Sequence, residues 1–259
     1  MNHLLTLFDL TGKTALVTGA SSGLGERFAR CLSQAGARVI MAARNLEKLE
    51  ILVQEIENAV PLQLDIANKN SVQQAFEALE EREERLDICI NAAGIYQPTP
   101  VFEEDLEGDF ESLFETNAFG TWRMIQHVAT HMRQHGITGS IINISSVNGA
   151  HCLQPERANY CASKAAIIQM TKALVGELGD VGIRINCIVP GLFQTPATEY
   201  KLQTEEQRAE IKRLIPLHFI GQPSDLDGTI LYLASNKASP YLTGSVITVD
   251  GGISWGGVR

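Results

Sequence analysis

Thr14-Ala-Leu-Val-Thr18 runs directly into Gly19-Ala-Ser-Ser-Gly-Leu-Gly25, and a segment of helical period continues to Gln34. The apolar β-branched run reads as a strand, and the glycines that follow it let bare backbone approach a ligand closely. The N–H groups that open a helix point into such a turn, which suits a pyrophosphate. Outward from this stretch, further short runs recur at Arg38–Ala42, Val60–Leu64, Leu86–Ile90, Ser140–Ile144, Ile183–Ile188 and Val246–Val249. Helical periodicity separates them over Leu46–Glu57, Ser71–Glu84, Leu106–Gln134 and Tyr160–Leu178. Strands alternating with helices predict a doubly wound α/β fold, a parallel sheet covered on both faces. No linker or repeat interrupts residues 1–259, so a single domain is expected. Its least regular part, 191–222, carries an amphipathic Thr204–Leu214 and is expected to cover the substrate.

Composition narrows the class. The chain has 259 residues, 44% apolar and 20% charged, which is ordinary for a soluble globular domain. Acidic residues outnumber Lys and Arg by 30 to 21, a net charge of -9, the wrong sign for a nucleic-acid or anionic-membrane binder. Five cysteines without a C-x-x-C pair suit a reducing compartment. Met1 to Thr14 lacks the parts of a signal peptide, and no apolar run approaches the roughly 20 residues of a membrane helix. A cytoplasmic protein with no nucleic-acid or membrane partner is expected.

The loop after the second strand selects among dinucleotides. A carboxylate there bonds the ribose hydroxyls, whereas a basic group pairs with a 2′-phosphate. Met41-Ala-Ala-Arg-Asn45 offers Arg44 and no carboxylate, so NADP is expected over NAD.

Tyr160-Cys-Ala-Ser-Lys164 opens a helical segment, and residues four apart share a helix face. A phenol and an ammonium can then face one cleft. Tyrosine is a poor acid or base near neutrality, but a nearby cation favours its phenolate, so Lys164 is expected to lower the pKa of Tyr160.

Together these motifs resemble the classical short-chain dehydrogenase/reductase family over essentially the whole chain. The resemblance rests on Thr18-Gly-x-x-x-Gly-x-Gly25, Asp65, Asn91-Ala-Ala-Gly94, Asn117-Ala-Phe-Gly120, Ile144-Ser-Ser146, Tyr160-x-x-x-Lys164 and Pro190-Gly-Leu-Phe-Gln-Thr195, in the family's order. It implies a Rossmann-like seven-stranded sheet in the order 3-2-1-4-5-6-7. It also implies Tyr160 as proton donor to a carbonyl, Lys164 as its partner and ribose anchor, Ser146 bonding the substrate oxygen, and Asn117 holding a relay water. Asp65, Asn91 and Thr195 resemble contacts to adenine, adenine ribose and nicotinamide amide. Gly19, Ser21, Ser22, Gly23, Leu24, Gly25, Ile66, Ala92, Gly94, Pro190, Gly191 and Phe193 complete the expected cofactor site. Two departures stand out: Ser146 precedes Tyr160 by one residue more than is usual, which leaves Ser145 as the substitute for Ser146, and Ala92 stands where Asn is common. Helix pairing in the family implies a homodimer or homotetramer.

Other features read as structural. His127, His131 and His135 form a stripe on one helix, but neither a Cys nor a carboxylate joins it in sequence, so no metal is expected. Glu80-Glu-Arg-Glu-Glu-Arg85 and Glu103-Glu-Asp105 read as solvated charge, and Cys152 as an apolar filler. Ile95, Tyr96, Val147, His151, Leu153, Leu192, Phe193 and Tyr200 are candidate pocket walls. The expected function is NADP-dependent interconversion of a small ketone or aldehyde, sugar-like ones included, and its alcohol. Rival readings are reduction of a 3-oxoacyl thioester on acyl carrier protein, disfavoured by His135-Gly-Ile137 and Asp180-Val181 where basic residues would meet an acidic carrier, and a dinucleotide-binding regulator without turnover.

Overall fold

The computed structural model describes residues 3–102, 109–151 and 155–256. The expectations for Glu103–Asp105, Cys152 and Leu153 lie outside these residues. One parallel sheet runs β3-β2-β1-β4-β5-β6-β7. Its strands are β1 (Thr14–Thr18), β2 (Arg38–Ala43), β3 (Ala59–Gln63), β4 (Ile88–Asn91), β5 (Ser140–Ile144), β6 (Arg184–Pro190) and β7 (Val246–Val249). The first helices are α1 (His3–Thr6), α2 (Gly23–Gln34), α3 (Leu46–Leu52), α4 (Lys69–Glu81) and α5 (Asp109–Phe114). A π-helical turn (Glu115–Gly120) leads into α6 (Thr121–Gln134), followed by α7 (Val147–Ala150), α8 (Ala158–Ala173) and α9 (Val175–Gly179). The chain closes with α10 (Glu205–Leu214), α11 (Asp227–Ala234) and α12 (Ile253–Gly256).

Side chains alternate across each strand and so build a core on both faces. Ala15 and Val17 of β1 pack with Phe28 and Leu32 of α2. Leu16 points the other way, into a layer with Met124 and Val128 of α6. In β2, Val39 and Met41 join the first layer while Ile40 and Ala42 join the second. The strand order reverses between β1 and β4, which pair from Ala15 with Ile88 to Thr18 with Asn91. A crevice opens beyond the carboxyl ends at such a reversal.

Three helical segments differ from expectation. The helix from Leu46 stops at Leu52 because Ile56 turns into the core and Asn58 adopts a left-handed φ of 54°. The run towards Gln134 is interrupted by the π turn, since Asn117 swings inward and Gly120 packs flat on Ile66, where a Cβ would lie 2.8 Å from Cγ1. The Tyr160 helix starts earlier, at Ala158, and breaks at Leu174.

The charge run 80–85 is not simply a solvated face. Glu84, on its loop after α4, grips the Arg38 guanidinium at 2.6 Å, and Arg85 donates to the His135 carbonyl at 3.1 Å. Glu80 corrects the reading of the histidine stripe: its carboxylate lies 2.6 Å from His131 Nδ1 and 2.9 Å from His135 Nε2. The Leu86 N–H donates to His131 Nε2 at 3.3 Å, so the ring hydrogen belongs on Nδ1, facing Glu80. His127 stands apart against Phe76 at 5.0 Å. Burial pushes the thiols of Cys31, Cys89 and Cys187 up to about 12. Among the described residues no helix is long and apolar enough to cross a membrane.

Candidate active site

The glycine turn is held by contacts that admit no side chain. Gly19 has φ +68°, and a Cβ on it would meet the Ala93 Cα at 2.8 Å. At Gly25 a Cβ would lie 2.3 Å from the Gly19 carbonyl oxygen, so strand and helix meet backbone to backbone. The Thr18 hydroxyl locks the opposite side by accepting from the N–H groups of Ala92 and Ala93, both at 3.1 Å. Ser22 precedes α2 in extended conformation without capping it by its side chain, which leaves the first N–H groups of a 12-residue helix to the cleft.

That cleft encloses about 450 Å³ over the carboxyl ends of the strands. Gly19, Ser21, Ser22, Gly23, Leu24 and Gly25 form one wall, and Arg44, Asp65 and Ile66 close it where β2 and β3 end. Ala92 and Gly94 follow β4, while Pro190 ends β6 and Gly191, Phe193 and Thr195 follow it. Arg44 is exposed, and among the described residues no carboxylate pairs with its guanidinium. Asp65 turns its carboxylate onto the Ala67 N–H at 3.0 Å. Thr195 stands across from the glycine turn, 3.6 Å from where a Cβ on Gly23 would lie.

Ser146, Tyr160 and Lys164 converge on the same cleft. Ser146 caps α7, accepting from the Asn148 N–H at 3.2 Å, and its hydroxyl acts to lower the pKa of the Tyr160 phenol. Ser145 faces away and donates to the Lys164 carbonyl at 2.7 Å, anchoring α8 to the end of β5. Burial pushes the Tyr160 phenol up to about 12, against the lowering effects of the Ser146 hydrogen bond and of Arg157. Burial also drives the Lys164 ammonium down to about 8, with its Nζ donating to the Ile144 carbonyl at 3.1 Å. In the free protein burial therefore sets the direction, upward rather than the downward one expected from Lys164, and the cation that acts on the phenol is Arg157.

The converging Glu80, His131 and His135 are the group among the described residues that could hold a metal ion, with ligand atoms within 4.8 Å of one another. His131 presents Nδ1 there as a hydrogen-bond donor, and the cluster lies on the α4–α6 face away from the cleft.

A model of the family described as enoyl-(acyl carrier protein) reductase matches residues 19–254. The chain is 36% identical over 248 residues to the 3-oxoacyl-(acyl-carrier-protein) reductase FabG of Thermotoga maritima, covering 94% of this chain and 98% of that one. The crystal structure of a short-chain type dehydrogenase/reductase from Mycobacterium marinum superposes with a TM-score of 0.90 at 36% identity, covering 97% of this chain and 99% of the other. The chain belongs to the short-chain dehydrogenase/reductase family. Within it, the structure of a gluconate 5-dehydrogenase from Burkholderia cenocepacia in complex with NADP and tartrate matches at 33% identity and a TM-score of 0.88, covering 97% and 99% of the two chains. This short-chain dehydrogenase/reductase is an oxidoreductase.

In this dehydrogenase/reductase two expected site residues stand behind the cleft wall. Asn91 donates to the Asn143 side chain at 2.8 Å, because the last position of β4 points it into the sheet. Asn117 is wholly buried, accepting from the Ile95 N–H at 2.8 Å and donating to the Ile95 carbonyl at 3.0 Å and to Ser163 at 3.2 Å. Of the candidate pocket walls, Ile95, Tyr96 and Phe193 line the cleft. Val147 packs instead with Ile167 and Val189. His151 packs tilted against Trp255 with ring centroids 4.7 Å apart, and Leu192 joins Leu202, Ile215 and Ile220. Tyr200 is half-exposed beside Lys201. Sequence reasoning missed Thr18, Ser163 and the Ile144 carbonyl, whose roles come from backbone contacts that no local pattern encodes.

Proposed function

We propose that this oxidoreductase uses NADP(H) to interconvert a small ketone or aldehyde and its alcohol. The carrying observation is the convergence of Ser146, Tyr160 and Lys164 on a cleft whose other end is a glycine turn and an uncapped helix N-terminus. That turn fits a pyrophosphate, since a Cβ at Gly19 or Gly25 would fill the space the backbone leaves. Arg44, exposed and without a paired carboxylate among the described residues, suits a 2′-phosphate and makes NAD the lesser partner. A bound nicotinamide dinucleotide supplies the hydride. Tyr160 holds its proton at Oη and passes it to the substrate oxygen, which the Ser146 hydroxyl orients. Lys164 holds a ribose hydroxyl from the floor of the cleft. Asp65, Asn91 and Thr195 belong to cofactor binding in this reading, with Asn91 acting through the β4–β5 frame and Asn117 through the main chain of Ile95. Thr195–Thr198 bring segment 191–222 to the cleft as its cover.

Exposed Phe119 and Trp122, at 52% and 36%, lie where the π turn enters α6 and support a homodimer or homotetramer built through that helix. Buried free Cys31, Cys89, Cys161 and Cys187 suit the cytoplasm. Initial rates with NADPH and with NADH against a panel of ketones, aldehydes and a 3-oxoacyl thioester test the reading. NADPH-dependent turnover of the free carbonyls supports it. A preference for the thioester favours the carrier-linked reading suggested by the Thermotoga relative.

A further inference from the structure

Tyr96 lines the cleft beside the reacting phenol, its ring edge-on to Tyr160 with centroids 4.9 Å apart and planes at 80°. Two cations converge on that ring. The Arg157 guanidinium carbon lies 5.8 Å from the Tyr96 centroid and the Lys201 Nζ 5.5 Å from it. They come from separate elements: Arg157 immediately precedes α8, and Lys201 ends the 3₁₀ turn Pro196–Lys201. Both are half-buried, and among the described residues neither has a carboxylate within salt-bridge distance.

This arrangement is unusual for a chain with nine more acidic than basic residues. Two like charges over one ring repel, and the negative ring face offsets only part of that cost. A bound anion would offset the remainder. The Arg157 charge also reaches the reacting group, since it acts to lower the pKa of both Tyr160 and Tyr96.

We infer that the substrate is a small anionic carbonyl compound, or the corresponding alcohol, whose carboxylate or phosphate lies between Arg157 and Lys201 beside the Tyr96 ring. The inference rests on Tyr160 as the proton donor of the proposed function. Because the cations stand one ring away from that phenol, the anionic group lies only a few bonds from the reacting carbon. Arg157 supplies a planar fork for an oxyanion, and Lys201 a flexible point charge.

The test compares charged and neutral carbonyls of one skeleton. Oxo acids of four to six carbons are paired with their methyl esters, and dihydroxyacetone phosphate with dihydroxyacetone, in NADPH oxidation by the wild type and by Arg157→Gln and Lys201→Gln. The anion of at least one pair should be favoured by about tenfold or more in kcat/KM, mainly through KM. Each variant should shrink that ratio by about tenfold. The oxo-acid and phosphate arms show which oxyanion the site takes. An equal rate on both members of every pair, or a preference that survives in both variants, overturns the inference while leaving the proposed function standing. If no carbonyl turns over, the proposed function fails, and calorimetric titration of the NADPH-loaded enzyme with the same oxo acids and with dihydroxyacetone phosphate decides the anion site: binding that either variant weakens upholds it, and no binding overturns it.

Discussion

The Lys164 ammonium donates to the backbone carbonyl of Ile144, 3.1 Å away at the carboxyl end of β5, and has no carboxylate beside it among the described residues. Burial lowers its pKa from 10.5 to about 8. Between those values the unfolded chain holds a proton that the folded chain has released, so stability rises with pH across that window. At pH 7 the buried charge costs about 3 kcal/mol. Lys164→Met removes that cost but leaves the Ile144 carbonyl unpaired, at about 1 kcal/mol. Urea unfolding of the free protein at pH 7 should show a net gain of about 2 kcal/mol that fades by pH 10.5, with weaker NADPH binding. A lower midpoint for the variant contradicts the account.

Tyr160 carries the second prediction. With its phenol raised by burial to about 12, the acid form is fully populated from pH 6 to 9, so proton donation by Tyr160 gives carbonyl reduction no pH dependence there. Alcohol oxidation needs the phenolate and should climb with pH over the same range. Tyr160→Phe should lower turnover by about a hundredfold or more with NADPH affinity nearly intact. Near-wild-type turnover under chemistry-limited conditions would falsify the assignment.

Arg44 is expected to decide the dinucleotide. Arg44→Ala should weaken NADPH binding by about 1.5–3 kcal/mol, the scale of a hydrogen bond to a charged group, and barely alter NADH binding. Fluorescence titration with both cofactors measures this, and equal losses would remove Arg44 from the 2′-phosphate site.

Asn117 holds the Ile95 peptide on both sides from inside the π turn. Asn117→Ala leaves two part-buried main-chain groups unpaired and should destabilise the protein by about 1–3 kcal/mol in urea. Amide exchange at Ile95 should accelerate in the variant; unchanged protection there would show that another group holds this loop.

The elements legible in the sequence are those whose signal is local. β1, the glycine turn and α2 follow from contiguous residues, and Tyr160 and Lys164 share a cleft because residues four apart lie on one helix face. What escaped depends on distant partners. Glu80 reaches His131 across 51 positions, and Asn91 turns to Asn143 across 52. The π turn at Asn117 arises from its bonds to Ile95, 22 residues away, within a pattern that reads as continuous helix. The upward direction of the Tyr160 pKa needed knowledge of burial, which spacing alone does not carry.

The Gly19–Gly25 contact and the Arg44 side chain sit in one cleft under opposite constraints. The first leaves 2.3 Å where any other residue needs room, whereas the second is exposed and pairs with no carboxylate among the described residues. If Arg44 holds the 2′-phosphate as proposed, a lineage can exchange position 44 for an acidic residue without disturbing the cradle, and so redirect the enzyme from the biosynthetic to the catabolic pool of reducing equivalents. The cradle itself stays closed to such drift.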